Sequence, residues 1–170
     1  MRYPDGLQPV ATETLPLAAG YRVAIPKATP RFRRWTGAPP GSTDGTTPLV
    51  ALHGEPLVAE LAILRLFQAA GWEGAWIDPY HGKRRVGFTE CIGLPVPKEA
   101  LLQAIYQAAH DRAGCFDVFC WQNGKVLFAE AKRQGHDQVQ PTQRRWLAAA
   151  LQTGLRPEAF LIVEWALADA

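Results

Sequence analysis

The chain has 170 residues, of which 48% are hydrophobic and 20% are charged. This composition excludes a disordered protein and allows one domain with a core of its own. The formal net charge of +2 excludes recognition of nucleic acid by total charge alone, so such a function would have to rest on local basic clusters. The sequence also lacks a signal-peptide pattern and any run of the roughly 18–20 apolar residues that a membrane span requires. We therefore expect a cytoplasmic protein that does not bind membranes.

The three cysteines cannot all pair within one chain, and no CxxC motif is present. We expect Cys91, Cys115 and Cys120 to be reduced thiols that pack as small apolar side chains. The alternative is zinc binding by Cys115 and Cys120, for which the sequence offers no second Cys/His pair at a suitable spacing.

The first fifty residues differ in composition from the rest. "YRVAIP" is compatible with a short strand, but "KATPRFRRWTGAPPGSTDGTTP" is rich in Pro, Gly, Ser and Thr and carries the basic residues Arg31, Arg33 and Arg34 before Trp35. This composition predicts an extended arm or loop region over residues 1–50, followed by the functional domain over residues 51–170. Such an arm could lie on its own domain or along a phosphate backbone.

From Glu55 onward, helical and strand patterns alternate along the chain. Pro, Gly and the spacing of apolar residues mark the limits of each element. The predicted elements are a helix in "EPLVAELAILRLFQAAG", one or two strands in "WEGAWIDPYHGKRRVGFTE", a helix in "PKEALLQAIYQAAHDRAG", a hairpin over Phe116–Lys132, a helix in "QPTQRRWLAAALQTG" and a strand in "EAFLIVEW". The order indicates a mixed α/β layer architecture.

The first helix carries an acid in its apolar stripe. On a helical wheel Glu60 falls between Leu57, Ile63, Leu64 and Phe67, rather than on the wet face. A carboxylate in that position needs a partner, because a lone buried charge is very costly. The partner could be a structural arginine or a cation shared with other acids.

The hairpin brings two further acids together. Asn123-Gly124 favours a two-residue type I′ turn, and that turn places Phe119 opposite Phe128 and Asp117 opposite Glu130 on one sheet face. Like charges about 5 Å apart repel by about 3 kcal/mol at an effective dielectric near 20. A divalent cation, a raised pKa on one acid, or the ammonium of Lys132 on the same face could each offset this repulsion. The simpler interpretation is an exposed pair at a frayed hairpin end, with Lys132 as its salt-bridge partner.

The third helix also carries a polar residue on its inward face. Gln143 falls in the same stripe as Trp146, Leu147 and Ala150, so it is expected to point toward the sheet. Because Gln143 lies in the first turn, it could also simply cap the helix.

These motifs resemble the PD-(D/E)XK nuclease superfamily, which has the restriction-endonuclease-like fold, and more narrowly the VRR-NUC domain. The resemblance is carried by "FDVF", the hairpin, "EAK" and the following "QGHDQVQPTQRRW". It implies an αβββαβ core with a mixed central sheet flanked by helices, interrupted here by an inserted helix.

The resemblance also implies roles for individual residues. Asp117 would be the metal-binding aspartate of the "PD" half, with Phe116 in place of the usual proline. Glu130 would be the second carboxylate ligand, the carbonyl of Ala131 a third ligand, and Lys132 the catalytic lysine. The implied metal is Mg²⁺ or Mn²⁺.

Two helical residues complete the implied site. Glu60 would match the acid of the first core helix and join the metal ligands, and Gln143 would match the glutamine of the third helix. These residue types suit phosphodiester hydrolysis, which needs an activated water and stabilisation of charge on the phosphoryl oxygens. His81 and His136 are further candidates without a specific argument.

Basic residues outside the implied metal site are candidates for the nucleic-acid backbone, although each cluster could equally be a solvated surface. Two arginines at a helix N-terminus are a reasonable phosphate contact. The candidates are Lys83, Arg84, Arg85, Arg133, Arg144 and Arg145.

The function expected from this resemblance is a metal-dependent deoxyribonuclease, selective for DNA structure, that leaves a 5′-phosphate and a 3′-hydroxyl. Branched DNA is the expected substrate, and relatives of this kind can act as homodimers. Two alternatives remain: a non-catalytic nucleic-acid-binding module on the same fold, and an accessory protein whose first fifty residues carry the function.

Overall fold

The computed structural model describes residues 3–41, 47–78 and 82–168. Three helices and ten strands are found in this part of the chain. In chain order they are β1 (Ala11–Pro16), β2 (Arg22–Ala28), β3 (Arg31–Arg34), β4 (Val50–Leu52), β5 (Glu55–Leu57), α1 (Ala59–Ala69), β6 (Glu73–Asp78), β7 (Lys83–Arg85), α2 (Val96–Ala109), β8 (Val118–Gln122), β9 (Lys125–Arg133), α3 (Pro141–Gln152) and β10 (Phe160–Leu167).

The strands form one curled, mixed sheet in the order β5-β4-β3-β10-β9-β8-β6-β7. Strands β6, β8 and β9 are antiparallel neighbours, whereas β10 runs parallel to β9 after the α3 crossover. Beyond β10 the sheet divides, because β2 pairs with the first half of β10 and β3 with its last residues. The prediction of a mixed α/β architecture is confirmed.

Each face of the sheet buries its own apolar cluster. Phe119, Phe128 and Phe160 lie on one face with residues of α2 and α3, and Trp146 from α3 packs against these rings. Leu127 lies on the opposite face, against α1 and its fully buried Phe67. The period-two alternation of side chains along β9 therefore directs its even-numbered residues toward α3 and its odd-numbered residues toward α1.

The hairpin has the predicted turn and register. Asn123 and Gly124 both have positive φ, at 49° and 76°, as a type I′ turn requires. Phe119 pairs with Phe128, and their rings stack at 4.2 Å between centroids. The turn chemistry thus fixes the register that brings the acids of the hairpin together.

The first predicted helix is shorter than expected. It was predicted from Glu55, but α1 begins at Ala59 because residues 55–57 pair with β4 as strand β5. The turn between these strands is formed by His53 and Gly54, both with positive φ. Pro56 is therefore a strand residue rather than a member of the first helical turn.

The described part of residues 1–50 contains three complete strands and the first residue of β4, whereas an extended arm or loop was predicted there, with a short strand considered only for "YRVAIP". Strands β1 and β2 form an antiparallel hairpin, and β2 and β3 pair in parallel with β10. The prediction failed here because the pairing partner of these strands lies far along the chain. Ile25, Ala28 and Phe32 are buried as a result.

The buried cysteines lie in different clusters. Cys115 belongs to the cluster under α3 and Cys120 to the cluster under α1, and both are free thiols.

Helices long and apolar enough to cross a membrane are absent from the described ranges.

Candidate active site

Asp117 lies directly before β8 and is held from both sides. Its backbone carbonyl accepts a hydrogen bond from the Ile77 amide at 2.7 Å. Its Oδ2 atom accepts a hydrogen bond from the Ala131 amide at 2.9 Å. Because Val118 pairs with Ala129, Asp117 reaches the level of Glu130 on the neighbouring strand. The carboxyl group is therefore anchored at the end of the hairpin rather than frayed.

Glu130 is almost fully buried, with 1% of its surface exposed. Its Oε1 atom lies 2.7 Å from Lys132 Nζ and also accepts a hydrogen bond from Gln143 Nε2. Its Oε2 atom is buried and has no hydrogen-bond partner in the described residues. One oxygen of this carboxylate is thus held by two donors, while the other is left without a protein ligand.

Gln143 has both of the roles considered from the sequence. Its Oε1 atom accepts a hydrogen bond from the Gln140 backbone amide at 2.8 Å, which caps the first turn of α3. The cap fixes which end of the side-chain amide faces the sheet, so its Nε2 atom is directed at Glu130. The fold of α3 therefore sets the orientation of an acid on β9.

The two hairpin acids shift the pKa of each other in opposite directions. Burial and the nearby charge of Glu130 raise the pKa of Asp117 well above its usual range. Burial raises the pKa of Glu130 to about 7, although the Lys132 ammonium and hydrogen bonds with the Asp117 and Gln143 side chains act in the opposite direction. The charge of Glu130 thus disfavours the ionised form of Asp117, as the predicted repulsion requires.

Glu60 approaches the same region from α1. It is partly buried, and burial together with the charge of Asp117 raises its pKa to about 7. Its side chain has no arginine partner in the described ranges of the chain, so the structural ion pair considered from the sequence is not formed. Asp137 also raises the pKa of Glu60, whereas Lys132 lowers it.

A cavity of about 410 Å³ opens beside this acid. Glu60 and Ala131 line it together with Arg133, His136 and Asp137. The Asp137 side chain accepts a hydrogen bond from the Arg133 amide at 3.0 Å, which closes the turn after β9. Asp137 belongs to the motif that carries the resemblance but received no role from the sequence, although Gly135 and Asp137 are both residue types typical of turns. Of the two histidines considered, His136 lines this cavity and His81 lies outside the described residues.

The donor set suits a hard divalent cation. Asp117 and Glu130 offer carboxylate oxygens, which Mg²⁺ and Mn²⁺ prefer, and Glu130 Oε2 is a buried oxygen that needs a partner. A group of three His, Cys, Asp or Glu side chains arranged to hold one metal ion is not found among the described residues. Glu60 is therefore not joined to Asp117 and Glu130 as a ready-made side-chain triad, and a backbone oxygen such as that of Ala131 would have to complete the set.

The predicted phosphate-binding residues fall into two groups. Arg84 pairs with Glu99 at 3.0 Å and Arg85 with Asp78 at 2.8 Å, so both guanidinium groups already have an acid within the protein. The remaining four residues are Lys83, Arg133, Arg144 and Arg145, which form no ion pair with any described residue.

Arg144 and Arg145 lie on the outer side of α3, where they line a groove of about 510 Å³. The Arg133 guanidinium lies 5.9 Å from the centre of the Trp165 ring.

Comparison of the chain with family models, with curated proteins and with solved structures gave no match. A function for this chain therefore has to be inferred from the geometry of its own residues.

Proposed function

We propose that the protein is a metal-dependent deoxyribonuclease that hydrolyses DNA phosphodiester bonds. The observation that carries the proposal is the environment of Glu130. This buried carboxylate lies beside a second acid, Asp117, keeps one oxygen unpaired and has Lys132 Nζ 2.7 Å from the other. Parts of this arrangement are unfavourable without a ligand, because a buried polar atom lacks a hydrogen-bond partner in the described part of the chain and the charge of Glu130 disfavours the ionised form of Asp117.

A metal ion would remove both of these costs. Asp117 and Glu130, with the carbonyl oxygen of Ala131, would hold Mg²⁺ or Mn²⁺. When bound, the ion would supply Lewis-acid stabilisation of negative charge and would lower the pKa of a coordinated water. The raised pKa values of the two acids fit this role, since a bound cation favours the ionised forms of both.

Lys132 would act on the phosphate group. Its ammonium group, 2.7 Å from Glu130 Oε1, is a hydrogen-bond donor and a positive charge. We assign it to the phosphoryl oxygens, where negative charge develops during hydrolysis. Gln143 would keep Glu130 oriented, and Glu60, with a pKa of about 7, is able to take up a proton near neutral pH.

The element order supports the same assignment. Helix α1, strands β6, β8 and β9, helix α3 and strand β10 follow one another in the chain. This is the αβββαβ order implied by the resemblance to the PD-(D/E)XK nucleases, with β7 and α2 as the inserted segment. In this assignment the acids of β8 and β9 and the first turns of α1 and α3 meet at one end of the sheet.

The test is to incubate the purified protein with labelled branched and linear DNA in Mg²⁺, Mn²⁺ or EDTA. Asp117→Ala and Lys132→Ala are assayed in parallel. We expect cleavage that requires metal, is lost in both variants and leaves 5′-phosphate ends. Equal cleavage by Lys132→Ala would assign the activity to another site or to a contaminant. DNA binding without cleavage by the wild-type protein would favour the non-catalytic module instead.

A further inference from the structure

A row of alternating charges crosses the sheet on the face that carries Glu130. In order across the strands, its members are Glu130 and Lys132 on β9, Glu164 on β10, Lys27 on β2 and Glu13 on β1. Lys132 is level with Glu164, and Lys27 is level with Ile162, two residues before Glu164. Glu13 is level with Ile25, two residues before Lys27. Level residues on adjacent strands and alternate residues along a strand share a face, so all five side chains do.

Lys27 is shared by two acids. Its Nζ atom lies 2.9 Å from Glu164 Oε1 and 3.2 Å from Glu13 Oε2. The three groups carry two negative charges and one positive charge, so this end of the row is net negative. Their contacts are partly shielded from water, because the side chain of Lys27 is 19% exposed and that of Glu164 is 28% exposed. The charge of Glu164 is thus held by a lysine that already contacts a second acid.

Lys132 does not pair with the acid that is level with it. Opposite charges in level positions on adjacent strands attract each other, yet Lys132 Nζ lies 2.7 Å from Glu130, two residues earlier on its own strand. An ion pair between Lys132 and Glu164 is not found among the described residues. Glu164 accepts its hydrogen bond from Lys27 instead. The position of the Lys132 ammonium therefore depends on which lysine Glu164 contacts.

Loss of Lys27 would leave Glu164 and Glu13 without their shared cation. Lys132, level with Glu164, would then be attracted toward β10. This is the more exposed side, since the Lys132 side chain is only 10% exposed in its present place. Glu130 Oε1 would keep the hydrogen bond from Gln143 but lose the ammonium.

We propose that Lys27 is a positioning residue for Lys132. By binding Glu164, it keeps that acid from drawing the Lys132 ammonium away from Glu130. This inference rests on the proposed function, because it concerns the lysine that we assign to the phosphoryl oxygens. It gives strand β2, which pairs with β10, a role in the geometry of the candidate site without contact with the substrate.

The test compares Lys27→Met with Glu13→Gln. Both variants break an ion pair of the same lysine, but only the first frees Glu164. The measurement is kcat for cleavage of a labelled branched DNA at saturating substrate in Mg²⁺. Lys27→Met should lower kcat about fivefold, the ratio that one opposite-charge pair across adjacent strands can supply. Glu13→Gln should keep the wild-type kcat, because Lys27 still contacts Glu164.

A rescue experiment separates positioning from a merely structural role. Lys27→Met/Glu164→Gln should return kcat to within about twofold of the wild type, because no acid is left on β10 to attract Lys132. A defect caused only by the missing lysine side chain would persist in this double variant, which still carries the methionine.

Crystal structures of the wild type and Lys27→Met give a readout that does not depend on activity. In the variant, Lys132 Nζ should lie within about 4 Å of a Glu164 oxygen, the distance of an ion pair. An unmoved Lys132, equal kcat values for Lys27→Met and Glu13→Gln, or no rescue by the double variant would overturn the inference. If Lys132 moves as expected but the wild-type protein never cleaves DNA, the positioning role stands and the nuclease assignment fails.

Discussion

Gln143 contacts Glu130 with one end of its amide and the Gln140 backbone with the other. The capping contact decides which end faces the acid, so the start of α3 and the orientation of Glu130 are coupled. The hydrogen bond to Glu130 also occupies Oε1, which leaves Oε2 as the free oxygen.

This coupling predicts different results for two substitutions of Gln143. Gln143→Ala removes both contacts, and it should lower the free energy of unfolding by about 2–3 kcal/mol and DNA cleavage at least tenfold. Gln143→Glu keeps an oxygen for the cap but places a second carboxylate against Glu130, so cleavage should fall while α3 is retained. Denaturant unfolding and kcat/KM on labelled DNA measure both effects. Full activity in Gln143→Ala would show that the amide does not orient Glu130.

The stability of the metal-free protein should fall as the pH rises from about 5 to 8. Glu130 and Glu60 have pKa values of about 7 in the folded protein, above the ordinary value of 4.5. The folded state therefore binds more protons than the unfolded state in this window, and the free energy of unfolding decreases with pH. For the buried Glu130 the full effect is on the order of 3 kcal/mol. Urea unfolding in EDTA at several pH values measures it, and a flat profile would contradict the raised pKa values.

Asp117→Asn should stabilise the metal-free protein at pH 8. The asparagine oxygen can still accept the hydrogen bond from Ala131, while the charge that repels Glu130 is removed. We expect a gain of about 1–3 kcal/mol in EDTA. Mg²⁺ should then raise the melting temperature of the wild-type protein but not of the variant, because binding to the native state stabilises it. Equal stabilisation of both proteins by Mg²⁺ would place the metal elsewhere.

Lys132→Met should destabilise the metal-free protein by about 3 kcal/mol at pH 8, because it leaves Glu130 as an unpaired buried charge. The loss should shrink toward pH 5, where Glu130 becomes protonated. Lys125→Met is the matched control, since Lys125 is an exposed lysine at the other end of the same strand, and its effect should stay within about 0.5 kcal/mol. A loss for Lys132→Met that does not depend on pH would point to packing rather than charge.

Gly114→Ala should displace the first turn of α3. Gly114 has a φ of 84°, and an added Cβ would lie 2.3 Å from the Thr142 carbonyl oxygen. Gly154→Ala is the control, because its φ is 92° and its Cβ would meet nothing within 4 Å. The control should lose about 1–2 kcal/mol from backbone strain alone. Gly114→Ala should lose more stability and most of the cleavage activity, because Gln143 follows Thr142. Similar values for the two variants would show that the turn adjusts without moving Gln143.

The parts of the molecule that the sequence predicted correctly are set by local interactions. The register of the hairpin follows from Asn123 and Gly124, and the inward position of Gln143 follows from the helical period of α3. In the same way, the apolar neighbours of Glu60 on the helical wheel placed that acid away from the wet face. These features need no knowledge of distant parts of the chain.

The features that the sequence analysis missed depend on distant partners. Strand β3 pairs with β10, and the contact of Lys27 with Glu164 joins residues 137 positions apart, so the composition after "YRVAIP" indicated an arm or loop. The same limit applies to Arg84, which looked free in the sequence but pairs with Glu99 on α2. At the candidate site, the turn that holds Asp137 is local and could have been predicted, but its closeness to Glu60 depends on the packing of α1 beside the end of β9.

The central position of β10 has a consequence for synthesis. This strand contacts β9 on one side and β2 and β3 on the other, yet in the sequence it comes after all the other strands of the described ranges. Until it leaves the ribosome, β9 and the N-terminal strands each present an unpaired edge that is prone to association. The closing of the sheet beside the acids of the hairpin therefore has to wait until β10 has left the ribosome.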